Sequence, residues 1–197
     1  MRLAAATDAF IVACWVGLLA DNARIAWHTR TRRDGHRRSP SLVVRLGVLA
    51  ALLTGVVLLE RKTGGMLWFH PAFALVGAGC ALAGLAMHVW GRRTLGARWA
   101  SLVAAPADGE LVTRGPYAVV RHPIYLGVLL LAAGTVLAHP SVTTLCVASG
   151  LAAGMARKIP AEERVLRAAC GDAWRGYAAT VPMLIPRRFA VLRRVWR

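Results

Sequence analysis

"RHPIYLGVLLLAAGTVLAHPSVTTLCVASGLAAGMARKIPAEE", residues 121–163, decides the fold. It contains two apolar runs, 123–138 and 141–158, with only His139 and Pro140 between them. An apolar helix of about 20 residues is the length that crosses a bilayer. Two such runs on so short a joint must form an antiparallel hairpin. That return sets the start of the first run beside the end of the second. Arg121, His122 and Tyr125 stand at one of these ends; Arg157, Lys158, Glu162 and Glu163 stand at the other. The hairpin thus predicts one polar cluster built from two separate stretches.

Three more apolar runs precede the hairpin, at roughly 3–21, 42–60 and 67–90. Hydrophobic residues make up 57% of the 197-residue chain, more than the roughly half expected of a soluble domain. The expectation is an all-α integral membrane protein of about five transmembrane helices in a single domain, 1–197. The first run contains Asp8 and has a weak basic leader, so it reads as a retained helix rather than a cleaved signal. The net charge is +16. Beside long apolar runs, such charge points to anionic lipid headgroups and away from nucleic acid.

The basic residues also set the orientation. With the N-terminus outside, 21 of the 25 lie on the inner side, three lie outside, and Arg45 falls in the second run. The positive-inside rule favours this arrangement, which puts the C-terminus and the polar cluster in the cytosol. Richness in Arg, Ala and Gly suggests a GC-rich, bacterial source and hence an inner membrane. The basic stretch 187–197 reads as an inner-leaflet anchor.

Smaller features follow the same frame. Residues 92–100, "RRTLGARWA", suit an interfacial helix. Residues 105–113 read as a turn-rich loop broken at Asp108-Gly109, and 161–186 as an amphipathic inner helix with a break at Gly171. Asp8 and Arg45 sit near span ends and read as snorkelling, while His70 and His88 read as interfacial. Cys14, Cys80, Cys146 and Cys170 form no CxxC pair and read as buried free thiols. No metal-ligand spacing, GxGxxG, P-loop or GxSxG elbow occurs, so no metal is expected.

At the cluster itself two readings stand. Pro123 suits the first turn of a helix, whose free N–H groups favour an anion. Arg121, His122, Tyr117 and Tyr125 are either interfacial anchors or a binding site. Pro160 with Glu162 and Glu163 makes a good helix start, or else one Glu faces the RHP end and binds a hydroxyl or ammonium group of a ligand.

The residues Gly115, Tyr117, Arg121, His122, Pro123, Tyr125 and Gly127 match the order G-x-Y-x-x-x-R-H-P-x-Y-x-G. Glu162, Glu163, Leu166, Gly171, Tyr177, Val181, Pro182 and Pro186 continue it, and "LGARW" (95–99) precedes it. This pattern, over about 92–186, resembles the isoprenylcysteine carboxyl methyltransferase family of membrane methyltransferases; residues 1–65 match only in kind. The resemblance implies S-adenosyl-L-methionine (SAM) as cofactor, in a cytosolic-side C-terminal pocket. It implies that Gly109, Glu110, Leu111, Val112, Tyr117, His122, Pro123, Ile124, Tyr125 and Glu162 line that cofactor. It implies a basic residue four positions before Glu162 that holds the substrate carboxylate. Lys158 stands there where the family has Arg, keeping the charge and losing the bidentate fork, with Arg157 adjacent. Arg121 adds a further basic group. The implied activity is methyl transfer to a lipophilic or prenylated acceptor, foremost an isoprenylcysteine-like carboxylate. A phospholipid amine or thiol acceptor, an NADPH-dependent membrane reductase of related fold, and a non-enzymatic scaffold are the alternatives.

Overall fold

The structure, a computed structural model, describes residues 2–30, 55, 60, 65–96 and 111–186. Among them it is helical, with no strand: α1 (Arg2–Arg30), α2 (Pro71–Leu95), a short 3-10 turn (Gly115–Ala118), α3 (Pro123–Ala138) and α4 (Val142–Thr180). The run at 42–60 lies outside the described residues save Gly55 and Glu60, and so do Arg45, 97–110 and the basic stretch 187–197. The chain divides into two compact units, Met1–Leu85 with Val128–Leu151, and Ala86–Gly127 with Ala152–Arg197.

α1 and α2 are long and apolar enough to cross a membrane. Only 33% and 28% of their apolar windows are buried, whereas a soluble core helix hides most of such a surface. On α1, Ile11, Cys14, Trp15 and Leu18 recur at helical spacing and are buried, while Phe10 and Val16 face outward. Leu75, Val76 and Leu82 of α2 are likewise exposed. Large apolar side chains turned away from the packed face belong in lipid, and the chain reads as a membrane protein.

In the first unit, α2 and α3 cross on small residues. A Cβ on Gly77 would stand 2.6 Å from Gly134 O, and one on Gly134 would clash with Gly77 O. Ala81 and Ala138, four residues on from each glycine, are fully buried beside them. This is the small-xxx-small contact that lets apolar helices pack without a hydrophobic driving force. Trp15 Nε1 donates to Thr135 Oγ1 at 3.0 Å and ties α1 to α3.

The hairpin joint is three residues, His139 to Ser141. Ser141 caps α4: Thr144 N donates to Ser141 Oγ and Ser141 N donates to Thr144 Oγ1, both at 3.1 Å. This reciprocal pair satisfies two groups that a helix start would otherwise leave open. At the head of α2, Ala72 N donates to His70 Nδ1 at 3.3 Å, and Pro71 takes the first helical position.

Several expectations are corrected. Asp8 does not snorkel; it is buried, with its Oδ2 3.4 Å from His139 Nδ1. His139 Nε2 lies 3.4 Å from Glu60 Oε2, so the imidazole sits between two carboxylates. His88 is not interfacial but 1% exposed. Cys14 is buried, whereas Cys146 is exposed and Cys80 and Cys170 are half-buried, and none of the four is in a disulfide. The fifth run and the first part of the amphipathic segment are one helix, since α4 continues through Pro160 as far as a kink at Gly171 and resumes beyond it to Thr180. Pro160 therefore interrupts the helix ladder rather than starting a helix. Burial of Ile159 beside it holds the segment in line. The break comes at Gly171, whose φ of 51° is positive.

Candidate functional site

The second unit brings together what the hairpin predicted. Tyr125, on the first turn of α3, donates its hydroxyl to Glu162 Oε1. Arg121 Nε donates to Glu163 Oε1 at 2.9 Å, and His122 Nε2 lies 3.1 Å from the same oxygen. Lys158 Nζ lies 3.6 Å from Glu162 Oε1, one helical turn away, and sits over the Tyr125 ring. The RHPxY start of α3 and the Glu162–Glu163 doublet of α4 thus form one constellation.

Local structure explains why. α4 is unbroken from Lys158 to Glu163, so Lys158 and Glu162 share a face while Glu163 turns to the next. On the other side, Gly91 lets α2 approach the head of α3; a Cβ there would meet Ile124 Cγ1 at 3.1 Å and Pro123 Cγ at 3.3 Å. Gly115 opens the 3-10 turn at a positive φ of 61°, which a residue with a Cβ adopts only under strain.

The stretch after α4 closes the site from behind. Arg121 N donates to Pro182 O at 2.9 Å and His122 N donates to Met183 O at 3.1 Å. Arg121 Nη1 donates to Ala178 O and to Val181 O, at 2.8 and 2.7 Å. Its guanidinium also lies over the ring of buried Trp174. Tyr177 donates its hydroxyl to Tyr117 O at 2.8 Å and so fixes the 3-10 turn. The motif residues Tyr177, Val181 and Pro182 are braces for the start of α3.

Burial sets the protonation of this cluster. His122 is 6% exposed, and desolvation holds its pKa below the ordinary 6.5 against the opposite pull of Glu163 and Glu162. The short approach to Glu163 would favour an imidazolium; at this depth desolvation wins, and the ring is neutral. Burial also raises the phenols of Tyr117 and Tyr177, so both remain protonated.

Of the sequence-named residues, Tyr117, His122 and Pro123 are buried and Leu111, Val112, Ile124, Tyr125, Lys158 and Glu162 half-buried; Arg157 is exposed. Gly109 and Glu110 lie outside the described residues. Arg121 binds Glu163 and two backbone carbonyls, which makes it a brace of the site. Glu163 and Tyr177 stood in the sequence pattern without an assigned role, and Trp174, buried beneath the Arg121 guanidinium, carried no sequence signal. A depression of about 570 Å³ lies beside Tyr177, lined by Thr113, Ala118, Asp172, Ala173, Gly176, Tyr177, Thr180 and Val181. Its one carboxylate, Asp172, is exposed and paired with Arg175, so the concentrated donors and acceptors are at the RHP end instead.

Residues 77–168 match the Isoprenylcysteine carboxyl methyltransferase (ICMT) family. The chain is similar to a cobalt-zinc-cadmium resistance protein, CzcN, of Cupriavidus metallidurans, at 33% identity over 77% of this chain and 64% of that protein. It is also similar to the protein-S-isoprenylcysteine O-methyltransferase of Schizosaccharomyces pombe, at 40% identity over 40% of this chain and 34% of that one. The chain thus spans less than two thirds of either relative. The matched stretch holds the RHPxY start and both glutamates, and through it the chain is similar to the isoprenylcysteine carboxyl methyltransferase family.

Proposed function

We propose that this chain is a SAM-dependent methyltransferase whose acceptor is lipophilic, foremost the carboxylate of an isoprenylcysteine-like molecule. One observation carries the reading: Arg121, His122 and Tyr125 meet Glu162 and Glu163 around one centre inside the family-matching stretch.

The donor set fits the cofactor. SAM presents a vicinal diol and an ammonium group as donors, and this centre offers two carboxylates and a neutral imidazole as acceptors. Gly109, Glu110, Leu111, Val112, Tyr117, His122, Pro123, Ile124, Tyr125 and Glu162 would hold it. When bound, it supplies a sulfonium methyl already activated for displacement. A carboxylate acceptor arrives deprotonated and needs no general base. The protein's part is then alignment and exclusion of water, the effects that make a bound reaction unimolecular. Lys158, with Arg157 next to it, orients the acceptor carboxylate. Tyr125 sets the Glu162 carboxylate by its hydroxyl, and Arg121 positions the start of α3.

In this reading the chain crosses a bacterial inner membrane about five times, with its N-terminus outside and the site in the cytosol. Its lipid-embedded helices admit an apolar tail. Lys158 in place of Arg favours a second reading, in which the acceptor is a phospholipid amine or a thiol, because a single ammonium grips a carboxylate less specifically than a guanidinium fork. The Cupriavidus relative, named for metal resistance, names no acceptor.

Purified protein in detergent should transfer label from methyl-labelled SAM to a prenylcysteine, and calorimetry should show SAM binding that falls at least tenfold in Glu162→Ala, the loss of a charged hydrogen-bond partner. Transfer to amines or thiols alone would replace the acceptor. Absence of SAM binding by the wild-type chain would remove the function.

A further inference from the structure

Glu162 and Glu163 are adjacent, yet they meet the site in different ways. Glu162 uses Oε1 for Tyr125 and Lys158. Its Oε2 lies 3.9 Å from His122 Nδ1, beyond hydrogen-bond length. Glu163 uses a single oxygen, Oε1, for both Arg121 Nε and His122 Nε2.

The imidazole connects the two. A carboxylate only accepts, so the contact at 3.1 Å puts the ring hydrogen on Nε2. In a neutral ring the other nitrogen, Nδ1, is then a lone-pair acceptor, and it faces Glu162 Oε2. Two acceptors 3.9 Å apart cannot bond each other, but they suit a ligand group carrying two donor hydrogens. A vicinal diol or an ammonium is such a group, and SAM carries both.

We infer that Glu163 is a positioning residue: it fixes His122 in the Nε2–H form, so that His122 Nδ1 and Glu162 Oε2 together receive one two-donor group of the cofactor. The inference rests on the proposed function for the identity of that group. Without Glu163 the buried ring is released to carry its hydrogen on Nδ1. That form donates to Glu162 Oε2, closes the acceptor pair on itself and removes both from the ligand. Arg121 keeps its bonds to Ala178 O and Val181 O, so the start of α3 stays braced when the Glu163 carboxylate is removed.

The test is ¹⁵N-histidine NMR of the full chain in detergent, with His122 assigned by its loss in His122→Gln, together with calorimetric SAM titration. The wild type should show the Nε2–H form without any ligand. Glu163→Leu should shift His122 toward Nδ1–H and weaken SAM binding roughly tenfold or more. Glu163→Gln, which keeps an acceptor oxygen, should recover most of both. An Nδ1–H ring in the wild type overturns the inference, and that measurement stands even if Glu163→Leu does not fold. So does wild-type SAM affinity in a folded Glu163→Leu protein. A wild type with the Nε2–H form that binds no SAM overturns the function and the ligand-reading half, and leaves the positioning of His122 by Glu163 intact.

Discussion

At position 121 a single guanidinium holds three things together: the Glu163 carboxylate and the carbonyls of Ala178 and Val181. Arg121→Ala leaves the two carbonyls without this donor and a largely buried Glu163 without its cationic partner, with only His122 Nε2 still donating to it, so thermal unfolding in detergent should show a loss of about 3 kcal/mol. Arg121→Lys should recover only part, because an ammonium cannot span the three acceptors in one plane. Equal stability of Arg121→Ala and wild type would make the brace illusory. His122 adds a pH dependence. Its pKa is depressed by burial, so on acidification the unfolded chain takes the proton first. The stability that goes with a neutral ring is complete above pH 6.5 and is lost as the pH falls through the lower, folded value. A wild-type melting temperature that drops below pH 6.5, with that part of the drop absent in His122→Gln, is the expected result. The cluster was legible in the sequence because the hairpin and the RHPxY and Glu-Glu pairs are local signals. The bracing role of Arg121 was not, since two of its partners are backbone carbonyls that have no residue code.

Among the helices, contact is decided where side chains are smallest. The Gly77–Gly134 crossing has no room for a methyl: either Cβ would stand under 3.0 Å from backbone of the other helix. Gly77→Ala and Gly134→Ala should each destabilise by about 1–3 kcal/mol, and the double variant by less than the sum, since the first methyl already parts the helices. Unfolding in denaturant with dodecyl sulfate would measure this, and additive or negligible effects would contradict the close crossing. The sequence marked the α3–α4 hairpin well: the span at 123–138 matches α3 in its bounds, because Pro123 and His139-Pro140 punctuate it. It misjudged α4, where Pro160 and the acidic pair carry the local signature of a helix start. Packing of Ile159 overrides that signature, and the helix ignores it. Gly171, read as a break, does carry non-helical angles, which only a residue without Cβ takes easily. Nothing lies within 4 Å of a Cβ there, so Gly171→Ala should cost about 1–2 kcal/mol through backbone strain alone.

For the molecule as a whole, the apolar runs at 3–21 and 67–90, which fold as α1 and α2, were legible because lipid imposes length and composition on every helix that meets it. The His139 contacts with Asp8 and Glu60 were not, since they join residues distant in the chain and no periodicity pairs them. Orientation is the remaining whole-molecule property, and it bears directly on function, because a SAM site must open to the compartment where SAM is made. In the proposed topology 21 basic residues would lie on the inner side and three outside, a large charge bias. Each basic residue held at an anionic inner surface contributes on the order of 1 kcal/mol, so the reverse topology would be strongly disfavoured. In bacterial cells a green fluorescent protein fused after Arg197 should fluoresce and an alkaline phosphatase fused there should be inactive. The same reporters fused after Lys62, between the second and third runs, should give the opposite pair. Phosphatase activity at Arg197 would place the Glu162–Glu163 centre outside the cytosol and would remove the topological basis for a SAM-dependent reaction at that site.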